Sequence, residues 1–107
     1  ALMAQPQLLI LDEPCNGLDL YAREQLLQSI ARLAQMPQGP TLLYVTHHIE
    51  EILPDFQYVL LLSGGSVYAM GKKEDVLTSE NLSAAYNVPV DVQWRAGRAW
   101  PQVLTEV

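Results

Sequence analysis

A single cysteine, Cys15, stands among the 107 residues, so no disulfide can close within the chain. That usage fits a reducing compartment. Basic residues are also few: six Lys and Arg face twelve Asp and Glu, a formal charge of −6. They are scattered, whereas a phosphate backbone demands clustered Lys and Arg, which argues against a nucleic-acid surface. No apolar run approaches the roughly 18 to 20 residues of a membrane span, and the amino end shows no basic signal-peptide region. The expectation is a soluble domain without direct membrane insertion, linked to a membrane only through a partner. A Gly-x-x-x-x-Gly-Lys-Ser/Thr loop, the backbone cradle for nucleotide phosphates, is missing too. What remains is a chain with 50% apolar residues, enough for one small domain with a modest core.

Within it, Leu8-Leu9-Ile10-Leu11 runs apolar without alternation and stops at Asp12 and Glu13. Such a run reads as a strand buried on both faces of a parallel sheet, although a buried helix segment has the same periodicity. Gln7 before it and Pro14-Cys15-Asn16-Gly17 after it bound the run at strand length. Acids at the carboxyl end of such a strand stand where open α/β sheets bind ligands. A second β-rich run, Thr41–Val45, ends at Thr46-His47-His48. Between them a helix is expected from Asp19 to about Gln35. Leu26, Leu27, Ile30, Leu33 and Ala34 recur at helical spacing, and Arg23, Glu24, Gln28, Arg32 and Gln35 fill the opposite face. Asp19 is a good N-cap. Met36-Pro-Gln-Gly-Pro40 ends the helix. Strand, helix and strand at this spacing form a parallel crossover unit.

The rest of the chain reads as smaller pieces. A short helix is expected around His48 to Leu53, and Pro54-Asp55 turns the chain into a hairpin over 58–70. Leu62-Ser63-Gly64-Gly65 supplies that hairpin's turn, since Gly-Gly accepts the positive φ such turns require. Gly71 closes it. Lys72–Leu77 and Ser79–Tyr86 read as two short helices, the second capped by Thr78 or Ser79. Val88–Val92 alternates, and the chain folds back at Ala96-Gly97 with Trp94 expected opposite Trp100, a cross-strand pair that packs rather than stacks on bases.

The string Asp12-Glu13-Pro14-x-x-x-Leu18-Asp19 resembles the Walker B motif and D-loop of ATP-binding cassette (ABC) ATPases, and Val45-Thr46-His47 resembles their H-loop. The resemblance implies an α/β fold: a partial P-loop NTPase domain of parallel strands with helices, followed by a β-hairpin, short helices and a terminal hairpin. It implies ATP and Mg²⁺ as cofactors. Asp12 would support Mg²⁺, through water; Glu13 would orient or deprotonate the attacking water; His47 would reach the γ-phosphate. Asp12, Asn16 and Asp19 would serve nucleotide binding, the last two through D-loop contacts across a dimer. Asn16-Gly17 departs from the serine and alanine-like wording usual there, which bears on the detail of those contacts. Cys15 reads as a small loop residue and His48 as solvent-facing.

Ala1–Ala4 resembles the tail of the helix that follows the family's signature motif, so the expectation is a carboxyl-terminal half of such a domain. Residues 1–53 would carry Walker B, D-loop and H-loop, and residues 54–107 the hairpin, helices and tail. Leu62-Ser63-Gly64-Gly65 spells the beginning of the signature, but it follows the H-loop and is a turn. Lys73–Leu82 and Ala84–Val90 resemble the end of ATPases serving iron-siderophore, haem and cobalamin importers. The implied partners are a second ATPase subunit and membrane permease subunits, with the protein on the cytoplasmic face. A non-transport ABC ATPase, and a non-catalytic fragment acting through partners, are the alternatives.

Overall fold

The computed structural model describes residues 7–104; the Ala1–Ala4 reading lies outside the described residues. Strand β1 (Leu8–Asp12) pairs in parallel with β2 (Thr41–Val45), from Leu8 opposite Thr41 to Asp12 opposite Val45. Both strands therefore end together, and the Glu13 N–H extends the ladder by donating to Val45 O at 2.8 Å. Helix α1 (Leu20–Ala34) joins them. Its N-cap is Asp19, whose Oδ1 accepts from the Ala22 N–H at 2.8 Å and so satisfies one orphan donor of the first turn.

One face of the β1–β2 pair packs on α1. Cys15, Leu27, Ile30 and Leu53 form a buried cluster, with Leu11, Leu42, Tyr44 and Phe56 against it. The period of two along a strand sends the alternate residues outward. Leu8 and Ile10 are 62% and 56% exposed, and Leu43 and Val45 are exposed as well. The unbroken apolar run predicts cover on both faces; in the described residues only one face is covered, because α1 and the segment through Leu53 and Phe56 pack on one side alone.

After β2, a single 3-10 turn, Ile49–Glu51, replaces the longer helix expected to Leu53. Ile52 is already extended, with ψ of 106°, and Pro54 bars the helix from resuming at Leu53, since the residue before proline is pushed away from helical backbone. Strands β3 (Tyr58–Ser63) and β4 (Ser66–Lys72) form an antiparallel hairpin with a bulge at Leu61/Leu62. Its turn residues Gly64 and Gly65 have φ of 59° and 79°, the left-handed pair that a two-residue hairpin turn needs. The strand runs one residue past Gly71, to Lys72. Helix α2 is only Lys73–Val76, and α3 is Ser79–Tyr86. Thr78 is the cap of α3, accepting from the Asn81 N–H at 3.1 Å.

The last hairpin joins β5 (Val90–Arg95) to β6 (Arg98–Val103) through Ala96 and Gly97, both at positive φ. A two-residue turn sets Arg95 opposite Arg98, so Trp94 faces Ala99 and Trp100 faces Gln93. The expected Trp94–Trp100 pair does not form: the register is one residue off, and that places the two rings on opposite faces. Trp100 instead lies under the Arg98 guanidinium, 4.9 Å from its ring centroid, a cation–π arrangement. A second buried cluster, Ile49, Leu61, Val76, Leu77, Leu82, Val90 and Ala99, holds the hairpins and short helices together. Buried Lys73 ties the two regions, its Nζ donating to Leu53 O at 3.3 Å and Pro54 O at 2.9 Å.

Candidate functional site

The common carboxyl end of β1 and β2 gathers the candidate residues. Asp12 is exposed as the last residue of β1. Glu13, half-buried, takes φ of 50°, a left-handed conformation uncommon for a side chain of this size and one that marks functional sites. That turn lets its Oε1 accept the main-chain N–H of His47 at 2.7 Å. Glu13 and His47 are thus brought together by the parallel register. The His47 side chain is exposed.

Beyond Glu13 the chain turns tightly. Asn16 N–H donates to Glu13 O at 3.1 Å and Leu18 N–H to Cys15 O at 3.1 Å, with Gly17 at φ 82°. Asn16 is exposed in this turn beside Glu13. Asp19 stands further on, its carboxyl engaged in the α1 cap. His48 is exposed, as the sequence predicts, and its N–H donates to Thr46 Oγ1 at 2.9 Å.

Beneath these residues lies a polar layer that the sequence reading passed over. Glu51 is 3% exposed. Its Oε1 accepts from the Tyr44 hydroxyl at 2.8 Å and from the Thr46 hydroxyl at 3.1 Å. The Cys15 thiol lies 3.3 Å from the Tyr44 hydroxyl. Cys15 is therefore more than a small loop residue: it is buried and joins the turn after Glu13 to β2. Burial pushes the Cys15 thiol up, against the lowering effect of the Tyr44 bond. Burial, and then the bonds to Cys15 and Glu51, drive the Tyr44 hydroxyl far above its ordinary range. The signal in the sequence was the inward rank Leu42, Tyr44, Thr46, which turns from apolar to polar toward the strand end.

A charged cluster on the flank was also hidden. Arg98 grips Glu24 with two nitrogens at 2.8 and 3.2 Å and donates through Nε to Glu50 O at 2.7 Å. Arg23 Nη1 lies 3.4 Å from Glu50 Oε2. Arg23 and Glu24, expected on the solvated face of α1, are partly covered by this contact. The hydrogen bond from Arg98, opposed by burial, holds the Glu24 carboxyl below its ordinary range.

For a divalent cation, no group of three or more His, Cys, Asp or Glu that could form a cage occurs among the described residues. Exposed Asp12 fits Mg²⁺ in another way, because that ion keeps several waters and takes one or two carboxylates together with substrate phosphates. No helix among the described residues is long and apolar enough to cross a membrane.

No family model matches the chain. It is 51% identical over 98 residues to the uncharacterized ABC transporter ATP-binding protein YlmA of Bacillus subtilis, covering 92% of this chain and 37% of that protein. It is 45% identical over 92 residues to the ABC transporter ATP-binding protein YmeB of Lactococcus lactis, covering 86% of this chain and 36% of that protein. The molybdenum import ATP-binding protein ModC of Pasteurella multocida is 41% identical over 76 residues, 71% of this chain and 21% of that protein. Among solved structures, an inward-facing conformation described as of metal-chelate type among ABC transporters superposes with a TM-score of 0.78 at 29% identity, over 94% of this chain and 41% of that chain. The homologues are ABC transporter ATP-binding proteins, and the fold is that of the corresponding α/β region. The chain spans well under half the length of each.

Proposed function

We propose that this chain is the carboxyl-terminal part of an ATP-hydrolysing subunit of an ABC transporter, with Glu13 and His47 as its catalytic residues. The observation that carries the reading is the 2.7 Å contact from the His47 N–H to Glu13 Oε1 at the shared end of two parallel strands. It holds a carboxyl one residue beyond an exposed aspartate, beside an exposed imidazole.

Mg²⁺, when bound, neutralises charge developing on the phosphates. Asp12 would hold it through water. Glu13, fixed through one oxygen, keeps its other oxygen for orienting water or accepting its proton. The His47 ring is free to reach the terminal phosphate. Asn16 and Asp19, in the turn and at the α1 cap, would meet a second ATPase subunit. Permease subunits would bring the assembly to the cytoplasmic face of the membrane.

The transported substrate in this proposal is a metal compound, in the direction of import. The Lys73–Val90 resemblance to iron-siderophore and cobalamin ATPases supports it, as do the import named for ModC and the metal-chelate type of the structural neighbour. The test is Mg-dependent ATP hydrolysis by the full-length gene product. Glu13→Gln should abolish turnover while sparing ATP binding. Hydrolysis by Glu13→Gln at the parent rate would overturn the assignment.

A further inference from the structure

We propose that Glu51 is a positioning residue that braces the Thr46–His48 segment and, through it, the contact between His47 and Glu13. What the brace serves rests on the reading above; the brace itself rests on geometry alone. Glu51 lies in the 3-10 turn after the histidines, with its own N–H bonded back to His48 O at 3.0 Å. Its buried carboxyl reaches back to the end of β2 and collects two hydroxyls on one oxygen, Tyr44 from the strand and Thr46 from the residue before His47. Thr46 in turn accepts the His48 N–H at 2.9 Å. The segment carrying His47 is thus fixed on both sides of the imidazole by bonds that converge on Glu51.

The same network reaches the other strand. Tyr44 meets the Cys15 thiol, two residues beyond Glu13, while Glu13 itself accepts from His47. Glu51 therefore underlies both partners of the catalytic pair without touching substrate. Ile49 and Leu53 beside it are buried and apolar, and an apolar residue at 51 would serve packing equally. A carboxyl there serves geometry: buried hydroxyls without an acceptor are costly, so the loop must keep the one arrangement that satisfies them.

The experiment uses the full-length gene product. Glu51→Ala should lower kcat for ATP hydrolysis about 10- to 100-fold with KM within about twofold, because misplacing a catalytic group costs turnover rather than binding. Glu51→Gln, which keeps an acceptor oxygen, should restore kcat to within about threefold of the parent. Tyr44→Phe keeps the ring and Glu51 but removes one donor, and should lower kcat about 3- to 10-fold; it decides the matter should Glu51→Ala not fold. Folded Glu51→Ala or Tyr44→Phe protein with parental kcat, a loss confined to KM, or a Glu51→Gln defect equal to that of Ala would each overturn the proposal. Amide exchange separates this from the reading of the site. His47 and His48 N–H protection should fall about tenfold or more in Glu51→Ala relative to the bulk of the sheet. Unchanged protection refutes the brace even in a protein that hydrolyses no ATP, whereas an inactive parent protein with lost protection refutes only the ATPase reading.

Discussion

His47 donates its main-chain N–H to Glu13 Oε1 at 2.7 Å although 34 residues separate them in the chain. The parallel register, with Asp12 opposite Val45, makes that contact possible. It also gives the two adjacent histidines different standing, since the His48 N–H is used within its own turn by Thr46. In the full-length protein, His47→Ala keeps that main-chain bond and removes only the imidazole that the proposal places at the terminal phosphate; it should cut ATP turnover at saturating nucleotide by about 100-fold or more, in the range seen when one transition-state donor is lost. His48→Ala should leave it within about twofold. Equal losses from both changes would remove the distinction.

The strands, α1 and the candidate residues were legible because they depend on local order: an apolar run, a cap, a motif at fixed offsets. Asp12, Glu13 and His47 emerge together as their positions on the strands suggest. What was not legible depends on register and on distant partners. Trp94 and Trp100 part because a two-residue turn at Ala96-Gly97 moves the pairing by one. The 3-10 turn stops at Glu51, with Ile52 already extended and Leu53 held extended by Pro54, so the helix expected to Leu53 does not form. Arg98 meets Glu24 from 74 residues away, and no periodicity on α1 announces it. Glu51 looks like one more acid of a solvated turn until the Tyr44 and Thr46 hydroxyls are seen to point at it.

The tip of the last hairpin gives a prediction about fit. A Cβ added to Gly97 would stand 2.9 Å from Pro54 Cγ, at a φ of 76°. Gly97→Ala should therefore destabilise by about 2 to 3 kcal/mol, the sum of left-handed strain and a clash with a ring that cannot swing away. Gly64→Ala meets nothing within 4 Å and keeps only the strain of φ 59°, about 1 kcal/mol. Urea unfolding of both variants compares them; equal effects would mean that the Pro54 contact relaxes freely.

The flank cluster predicts an acid-sensitive latch. Arg98 holds the Glu24 carboxyl below its ordinary value of 4.5. A depressed folded value means that the contribution is present above about pH 4.5 and is lost as pH falls through the folded value. Glu24 is partly exposed, so screening keeps the effect modest. Arg98→Ala removes the pair, the bond to Glu50 O and the cover over Trp100, and should destabilise by about 1 to 2 kcal/mol near neutral pH. The difference from the parent should shrink toward pH 3, as read from denaturant midpoints. A gap that persists undiminished would place the effect in packing alone.

At alkaline pH the sign reverses. Cys15 and Tyr44 both have raised values when folded, against ordinary values of 9.0 and 10.0. Raised folded values favour the neutral forms, so their contribution is whole below about pH 9 and is lost as pH climbs toward the folded values. Stability should fall between pH 9 and 11 more steeply in the parent than in Cys15→Ser with Tyr44→Phe. Alkylation of the Cys15 thiol should also be slow until the protein unfolds, because thiolate is scarce and access is closed. Rapid labelling at pH 8 in native conditions would contradict the burial of that thiol.

The last prediction concerns the 107-residue chain by itself. Nucleotide affinity in P-loop proteins comes chiefly from backbone N–H groups and a lysine that cradle the phosphates, and the Gly-x-x-x-x-Gly-Lys-Ser/Thr loop is not in this sequence. Its acids alone repel a triphosphate, and one exposed carboxylate such as Asp12 holds Mg²⁺ weakly. Leu8, Ile10, Leu43 and Val45 meanwhile present an apolar sheet face that favours self-association over ligand binding. Titrating Mg-ATP into the purified chain by calorimetry should therefore yield no saturable binding tighter than about a millimolar, roughly 4 kcal/mol. Tighter saturable binding that Asp12→Ala abolishes would reveal a nucleotide site built without a phosphate cradle, and would move the source of affinity onto the strand ends themselves.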